Sequence, residues 1–223
     1  MDDELFKLWP THILRRKFPK HEECKEDLIR FVDEYMVENP TSRSAIENTN
    51  LYESEYGIIP KFYEKSAVIR ELTEFMCDSF TEVATLANDD CWRGHDIDRS
   101  KLRVKIAGSW FINYLDGGYV KAHTHGNCAW SCVYYLQMGS VQNREDGGTY
   151  FMSPDQPKDP DLKKDSGDVG NMYLEKSQWS CKAEEGYALF FPPLISHGSF
   201  PYAGNTRRII FSANAQLVLA DQL

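Results

Sequence analysis

The sequence predicts a mainly β domain, a sandwich or jelly roll, with helices flanking it on the N-terminal side. Strand-like segments follow one another from about residue 103, Gly-rich turns separate them, and the first 90 or so residues instead show helical periodicity. A chain of 223 residues is long enough for one domain with a sizeable core. We therefore expect a single domain over residues 1–223, divided into a helical support region at 1–102 and a β core at 103–219.

Two amphipathic helices are predicted in the N-terminal region. Apolar residues recur at positions i, i+3, i+4, i+7 and i+8 from Leu28 to Met36, and a second run of the same kind extends from Val68 to Val83. Residues 38–60, between these runs, are polar and irregular, so the sequence predicts a loop there.

Six segments of the C-terminal part are typical of strands because they are rich in β-branched and aromatic residues. They are 104–115, 120–125, 129–137, 149–152, 187–191 and 207–218. Turn-forming residues separate several of them, at Asp116-Gly-Gly118, Asp146-Gly-Gly148 and Ala203-Gly-Asn205. Residues 153–185 are rich in Pro, Asp and Lys, and we expect a long insertion or a lid there, beside the mouth of the β structure.

Composition argues against several classes of partner. The chain has 25 basic and 34 acidic residues and a net charge of −9, which disfavours binding to nucleic acid phosphates. Apolar runs stay well short of the roughly 18–20 residues that span a membrane. The acidic start, Met1-Asp-Asp-Glu4, is unlike a signal peptide, and the six cysteines follow neither CxxC nor disulfide-framework spacing. We expect a cytoplasmic protein with free thiols and no membrane partner.

Three histidines form the most informative pattern in the chain. His123 and His125 occupy alternate positions of a predicted strand, and residues i and i+2 of a strand project from the same face. His197 comes from a distant segment, before the last predicted strand. A lone strand histidine is more often structural, but a His-x-His pair with a third candidate indicates a metal site. Imidazole suits iron, zinc, copper and nickel, so the residue types do not name the ion.

Two adjacent arginines begin the last predicted strand. Period two places Arg208, Ile210 and Ser212 on one face of this strand and Arg207 on the other. An arginine that points into a β core needs a carboxylate or phosphate partner, because a buried unpaired charge is very costly. Guanidinium binds carboxylates in a bidentate manner. We expect one of the two arginines to bind an anionic ligand and the other to face solvent.

These residues lie in segments that resemble the iron(II)- and 2-oxoglutarate-dependent oxygenases, in particular the prolyl-hydroxylase-like branch and a little-characterised group of members. The resemblance covers about residues 104–216 and the opening Leu5-Phe-Lys-Leu-Trp-Pro-Thr-His12. It implies a double-stranded β-helix, which is a cupin-like jelly roll. The segments that carry it are Trp110–Tyr119 before His123, Trp130–Leu136, Gly147–Pro154, Gly186–Pro192, and His197 followed by Pro201 and the arginine pair.

The resemblance implies an activity and roles for individual residues. The implied enzyme uses iron(II), 2-oxoglutarate and dioxygen to hydroxylate an unactivated C–H bond of an amino acid, a peptide or protein side chain, or a small metabolite. His123 and His197 correspond to iron ligands, and Arg208 corresponds to the residue that forms a salt bridge with the distal carboxylate of 2-oxoglutarate. Tyr135 corresponds to a hydrogen-bond donor to the same carboxylate.

Two further residues are candidates for contact with the cosubstrate. Ser212 shares a predicted strand face with Arg208, and Asn113 lies in the segment that leads towards His123. We prefer Arg208 to Arg207 as the carboxylate anchor because of this shared face. Beyond the metal ligands, the sequence suggests no separate catalytic side chain.

The sequence departs from the family's usual motif at one position. The common motif is His-x-Asp or His-x-Glu, which supplies two histidines and one carboxylate to the iron. Here His125 stands at the carboxylate position. Either His125 ligates the metal directly, or water or an outside carboxylate completes the ligand set beside it, or the protein has kept the fold and lost catalysis. We favour direct ligation.

Two functions of other classes stay open at this stage. One is a cupin-type metal dioxygenase that uses three histidines and no cosubstrate, although such an enzyme has no need of Arg208 after its last ligand. The other is a non-catalytic jelly-roll binding module, which would retain neither metal nor 2-oxoglutarate. A zinc hydrolase fits less well, since the segment carrying the His-x-His pair offers no carboxylate base. The primary substrate is not apparent, and the N-terminal helices could serve a homodimer contact or support the sheet.

Overall fold

Ten strands and three helices make up the computed structural model, which describes residues 10–43, 50–139, 146–154 and 178–220. The strands are β1 (Leu14–Lys17), β2 (Leu51–Glu53), β3 (Leu102–Tyr114), β4 (Val120–His123), β5 (Trp130–Gln137), β6 (Thr149–Met152), β7 (Gln178–Ser180), β8 (Tyr187–Phe191), β9 (His197–Ser199) and β10 (Arg208–Leu219). The helices are α1 (His21–Glu38), α2 (Ile58–Phe62) and α3 (Ala67–Gly94), and a single 3₁₀ turn lies at Arg99–Lys101.

The strands form two antiparallel sheets. The major sheet has the order β1-β8-β5-β10-β3-β2, and the minor sheet has the order β4-β9-β6-β7. Phe151 of the minor sheet contacts Phe191 of the major sheet with ring centroids 4.9 Å apart, so the two sheets face each other. This is the mainly β architecture with flanking helices that the sequence predicts.

Side chains of the major sheet alternate between two cores. One face packs against α1 and α3 through aromatic residues, whereas the other lies between the sheets. The helix-side residues include Phe111, Tyr134, Phe190 and Phe211. The residues between the sheets include Ile112, Tyr135, Phe191 and Ile210. The alternation fixes which residues can reach a site between the sheets.

The two predicted amphipathic helices are confirmed as α1 and α3, and each is longer than the periodic run that predicted it. Leu28 and Val32 of α1, and Leu72 and Phe80 of α3, are fully buried against the sheet. The α3 helix begins at a favourable N-cap, where the Ser66 hydroxyl accepts a hydrogen bond from the Ile69 backbone N–H. Neither these helices nor α2 has the length and apolar character needed to cross a membrane.

Three expectations about local structure need correction. The strand expected at 120–125 ends at His123, so His125 lies in the following loop rather than on the same strand face. The region 38–60, expected to be a loop, contains β2 and the start of α2. Four short strands were not predicted, because segments of three or four residues are too short to show a pattern of alternation: β1, β2, β7 and β9.

The insertion expected at residues 153–185 can be described only in part. Residues 155–177 lie outside the described residues. Residues 1–9 also lie outside them, and they include the first part of the opening motif Leu5–His12. Within the described part, Gln178–Ser180 pairs with β6 and is therefore a strand of the minor sheet. The C-terminal end of this stretch thus belongs to the β structure.

Candidate metal centre

Strand pairing brings the three histidines together. The antiparallel register of β4 and β9 sets His123 directly opposite His197. His125 follows β4, and its backbone N–H donates to the Pro193 carbonyl at 2.9 Å, which fixes the loop beside these strands. One ligand atom from each of the three rings lies within 4.8 Å of the others. The three side chains are therefore close enough to hold a single metal ion.

Backbone carbonyls orient two of the three rings. Nδ1 of His123 lies 2.8 Å from the Lys121 carbonyl, and Nδ1 of His197 lies 2.9 Å from the Ile195 carbonyl. Because a carbonyl oxygen can only accept, Nδ1–H is the donor in both contacts, and Nε2 keeps its lone pair. This arrangement is typical of metal-binding histidines, whose outer hydrogen bond fixes both the tautomer and the ring direction.

The environment keeps two of the histidines, His125 and His197, neutral. Burial, together with the neighbouring His123 ring, lowers the pKa of His125 to about 4. Burial is also the main cause that lowers the pKa of His197 to about 3. Because a metal competes with protons for the same lone pair, low pKa values favour metal binding at neutral pH.

These shifts predict an acid-sensitive metal-free protein. The pKa values of His125 and His197 in the folded state lie below the value of about 6.5 for an unfolded chain. The unfolded state therefore binds more protons, and stability falls as the pH drops below about 6.5. We expect the urea midpoint of metal-free protein to decrease from pH 7.5 to 5.5, and to decrease less in His197→Gln. An equal decrease in both proteins would contradict this assignment.

Arg208 is the second element of the site. Its side chain is fully buried in the interior between the sheets, with Cζ 4.1 Å from the centroid of the Tyr114 ring. Among the described residues, none accepts a hydrogen bond from its Nε, Nη1 or Nη2. Since a buried unpaired guanidinium is very costly, this group is suited to bind an anionic partner other than the described residues.

Arg207 has a different environment, on the helix side of the sheet. It forms a two-point ion pair with Asp33 of α1, and the Nη2 to Oδ2 distance is 2.8 Å. Asp33 holds this side chain away from the interior, so Arg208 alone of the two enters the space between the sheets. The expected face for Arg208 is confirmed, whereas Arg207 pairs within the chain rather than extending alone into solvent.

A cavity of about 700 Å³ joins the histidines to Arg208. Ser212, expected from its shared face with Arg208, lines this cavity. Tyr135 lies behind the wall, and its hydroxyl donates to Thr149 Oγ1 at 2.7 Å. Thr149 itself lines the cavity, so Tyr135 reaches the cavity edge through this hydroxyl pair. Thr149 was not among the predicted site residues, because its role depends on contact with Tyr135 on another strand.

Asn113 needs correction as a candidate for cosubstrate binding. Its neighbours on β3, Ile112 and Tyr114, line the cavity, but Asn113 does not. Alternation along the strand turns Asn113 to the helix-side face, which it shares with Phe111. The structure therefore separates Asn113 from the metal centre and from Arg208.

Gly147 makes the close packing around Arg208 feasible. Its φ of +61° is unfavourable for other residues, and a Cβ at this position would lie 2.9 Å from Cδ of Arg208. We expect Gly147→Ala to displace the guanidinium and weaken 2-oxoglutarate binding by about tenfold, which equals about 1.4 kcal/mol. Gly126→Ala is the matched control, since a Cβ there meets nothing within 4 Å. Calorimetric titration measures 2-oxoglutarate affinity in both variants. An affinity that is unchanged in Gly147→Ala as well as in Gly126→Ala would exclude this packing role.

The open end of the cavity carries a cluster that the sequence did not suggest. Arg43 pairs with Glu53, and its guanidinium lies 3.4 Å above the centroid of the Tyr56 ring. Tyr56 in turn packs edge-to-face on Trp110, and the Trp110 ring lies 5.7 Å from that of His125. We name Arg43, Glu53 and Tyr56 the mouth cluster. Trp110 lines the cavity, whereas Trp130 lies in the helix-side core.

The comparisons with known proteins agree with this geometry. A family model described as "Putative 2OG-Fe(II) oxygenase" matches residues 108–214, which include all three histidines and Arg208. No curated protein matches the chain. These observations connect the site to a family without naming a substrate.

Solved structures of other proteins share the fold. A viral collagen prolyl hydroxylase from Paramecium Bursaria Chlorella virus-1, in complex with 2-oxoglutarate, is 16% identical with a TM-score of 0.53, and the match covers 91% of this chain and 94% of that one. A prolyl-4-hydroxylase from Pseudomonas putida is 11% identical with a TM-score of 0.55, over 92% of each chain. HygX from Streptomyces hygroscopicus, with nickel and 2-oxoglutarate bound, is 11% identical with a TM-score of 0.54, over 92% of this chain and 82% of that one.

Three observations lead to one conclusion: the likeness in fold, the family match over the segment that carries the histidines and Arg208, and the set of three histidine ligands. Over residues 108–214, which carry the three histidines and Arg208, the chain matches a family of iron(II)- and 2-oxoglutarate-dependent oxygenases, and its fold is the double-stranded β-helix that the solved structures share.

Proposed function

We propose that this oxygenase hydroxylates an unactivated C–H bond of a small-molecule or peptide substrate, with His123, His125 and His197 as its iron ligands. One observation carries the proposal: a buried guanidinium without a partner in the described chain lies in the same cavity as three neutral imidazoles. A three-histidine dioxygenase without cosubstrate would have no use for such a cation. Imidazole nitrogens suit iron(II), and a guanidinium suits a carboxylate.

Each side chain has a specific task in this proposal. The Nε2 atoms of His123 and His197 bind the metal, because their Nδ1–H groups are engaged by backbone carbonyls. Arg208 binds the distal carboxylate of 2-oxoglutarate. Ser212 lines the cavity beside it, and the Tyr135–Thr149 hydroxyl pair closes the wall. Bound iron(II) would activate dioxygen, which is the oxidant, and 2-oxoglutarate would supply two of the electrons as it is converted to succinate and carbon dioxide.

The surrounding core prepares this site before any ligand binds. Phe191 packs edge-to-face on His197, with ring centroids 4.6 Å apart, and Trp110 packs near His125. These apolar neighbours exclude water from two of the imidazoles and limit their rotation. The substrate would enter from the mouth cluster, whose Tyr56 ring extends the wall that Trp110 begins.

The test is an anaerobic titration followed by exposure to air. Iron(II) and then 2-oxoglutarate are added to metal-free protein, and we expect a weak visible charge-transfer band that requires both additions. On exposure to air, succinate should form with consumption of 2-oxoglutarate, slowly without substrate and faster with a correct one. Absence of the band, with no iron retained after gel filtration, would favour a binding module instead.

A further inference from the structure

The ligand set of the metal centre leaves a charge uncompensated. Three neutral imidazoles contribute no charge, whereas the usual two-histidine, one-carboxylate set contributes one negative charge. If the proposed function holds, the C1 carboxylate of 2-oxoglutarate is the one anionic group on the metal. The metal and its ligands then carry a net charge of +1, where a His-x-Asp site would be neutral.

Among the described residues of the cavity wall, no acidic group is free to compensate this charge. Glu53 is the one acidic residue among the described residues that line the cavity, and it is paired with Arg43. The distal carboxylate of 2-oxoglutarate compensates Arg208 and is not available to the metal. Asp146, although buried, does not line the cavity, and its Oδ1 accepts from the Ala203 backbone N–H at 2.7 Å.

The space between the histidines and the open end of the cavity suits an anion. Its described walls include Trp110, Thr124 and the exposed residue Lys121, none of which is acidic. A net charge in a partly buried site is expensive unless a counter-charge lies close by, because the local dielectric is low. The chain as a whole has a net charge of −9, so this lining differs from the general character of the protein.

We propose that the centre, once 2-oxoglutarate is bound, holds one further monoanion beside the metal, outside the position that dioxygen needs, and that this anion compensates for the carboxylate that His125 replaces. Two sources share this chemistry: a carboxylate carried by the primary substrate, or a small free anion such as a halide. The proposal rests on the proposed function and deepens it, because the first source makes the substrate class an acid. The mouth cluster fits either source, since its one carboxylate is already engaged by Arg43.

The experiment uses protein loaded with cobalt(II), whose visible bands report on ligand changes at the metal, kept anaerobic and saturated with 2-oxoglutarate. Sodium acetate, sodium azide and sodium chloride are titrated separately, with sodium perchlorate holding the ionic strength constant. We expect a saturable spectral change with one anion per metal. A response to acetate and not to chloride assigns the site to a substrate carboxylate, and the reverse assigns it to a free anion.

A matched pair of variants isolates charge from shape. His125→Asp restores a negative ligand, and His125→Asn has nearly the same size without the charge. We expect the anion affinity to fall at least tenfold in His125→Asp and to stay within about threefold of the unmodified protein in His125→Asn, with cobalt content measured for each. If only one variant retains cobalt, His125→Glu and His125→Gln form the replacement pair.

The outcomes separate this inference from the proposed function. If 2-oxoglutarate changes the cobalt spectrum but none of the three anions does so in the unmodified protein, the anion site is wrong and the oxygenase assignment stands. Equal anion affinity in His125→Asp and in the unmodified protein would also overturn it. If 2-oxoglutarate itself leaves the spectrum unchanged, the proposed function fails first.

Discussion

Replacing Arg208 with methionine is expected to abolish useful 2-oxoglutarate binding and, at the same time, to stabilise the ligand-free protein. The guanidinium is fully buried, and no described residue accepts a hydrogen bond from it. Loss of one partner of a buried, hydrogen-bonded charge pair costs about 3–5 kcal/mol. We therefore expect the Kd for 2-oxoglutarate to rise by roughly 100-fold to 1000-fold or more.

The gain in stability has the same physical origin. In the ligand-free protein Arg208 is a buried charge whose described neighbours include two aromatic rings, Tyr114 at 4.1 Å and Tyr135 at 5.7 Å, but no hydrogen-bond acceptor for its guanidinium. An apolar side chain of similar length removes the unpaired charge and keeps the packing, so the free energy of unfolding should increase by about 1–3 kcal/mol. Urea unfolding of the metal-free protein measures this change, and calorimetric titration of the iron-loaded protein under anaerobic conditions measures binding.

Arg207→Met is the matched control for this experiment. Arg207 is adjacent in sequence, but it pairs with Asp33 on the partly exposed helix side of the sheet. Its removal should leave 2-oxoglutarate affinity unchanged and lower stability by at most about 1 kcal/mol, as for other exposed ion pairs. If Arg207→Met lost the cosubstrate and Arg208→Met kept it, the roles assigned to the two arginines would be reversed.

Replacing His197 with alanine is expected to remove stoichiometric metal binding. His197 is buried and sits opposite His123 in the pairing of β4 with β9, so no neighbouring side chain can substitute for it. Loss of a single outer partner of a metal ligand costs about 10- to 100-fold in affinity, and loss of the ligand itself should cost at least about 100-fold. Dialysis against iron(II) or cobalt(II), followed by elemental analysis, measures the retained metal.

Thermal stability provides a second readout of the same variant. Metal should raise the melting temperature of the unmodified protein, because a ligand that binds only the folded state stabilises it. This rise should be absent in His197→Ala and fully present in the control His95→Ala, which changes an exposed histidine at the end of α3. Equal metal-dependent stabilisation in both variants would show that the ion binds elsewhere.

The sequence supports predictions where a pattern extends over enough residues. The long helices α1 and α3, the long strands β3, β5 and β10, and the inward face of Arg208 follow from periodicity, because eight or more residues of alternation or helical spacing leave little ambiguity. The shorter strands β4, β6 and β8 were predicted instead from their β-branched and aromatic residues. The same reasoning led to the error at His125, since the strand periodicity was extended two residues past the end of β4. The three histidines nevertheless meet, because Pro193 holds the loop through its carbonyl.

Other features depend on contacts between segments far apart in the chain, and local patterns cannot reveal them. The helix-side position of Asn113 follows from the same alternation that turns Tyr114 inward, but which face of β3 meets the cavity is decided by the facing sheet. In the mouth cluster, Arg43 joins Glu53 through an ion pair and a backbone hydrogen bond, and the pairing of β2 with β3 places Glu53 at the cavity. Neither relation has a local sequence signal.

The adjacency of Arg207 and Arg208 makes the register of one strand a condition for cosubstrate recognition. A slip of β10 by one residue would exchange the positions of the two guanidiniums. Arg207, which now pairs with Asp33, would enter the cavity, and Arg208 would lie against α1. Two irregularities, at Ile209/Ile210 against β5 and at Asn214/Ala215 against β3, oppose such a slip, because they interrupt the ladder at defined points. A single-residue change in length between Arg208 and the irregularity at Ile209/Ile210 is therefore expected to alter which ligands the cavity accepts.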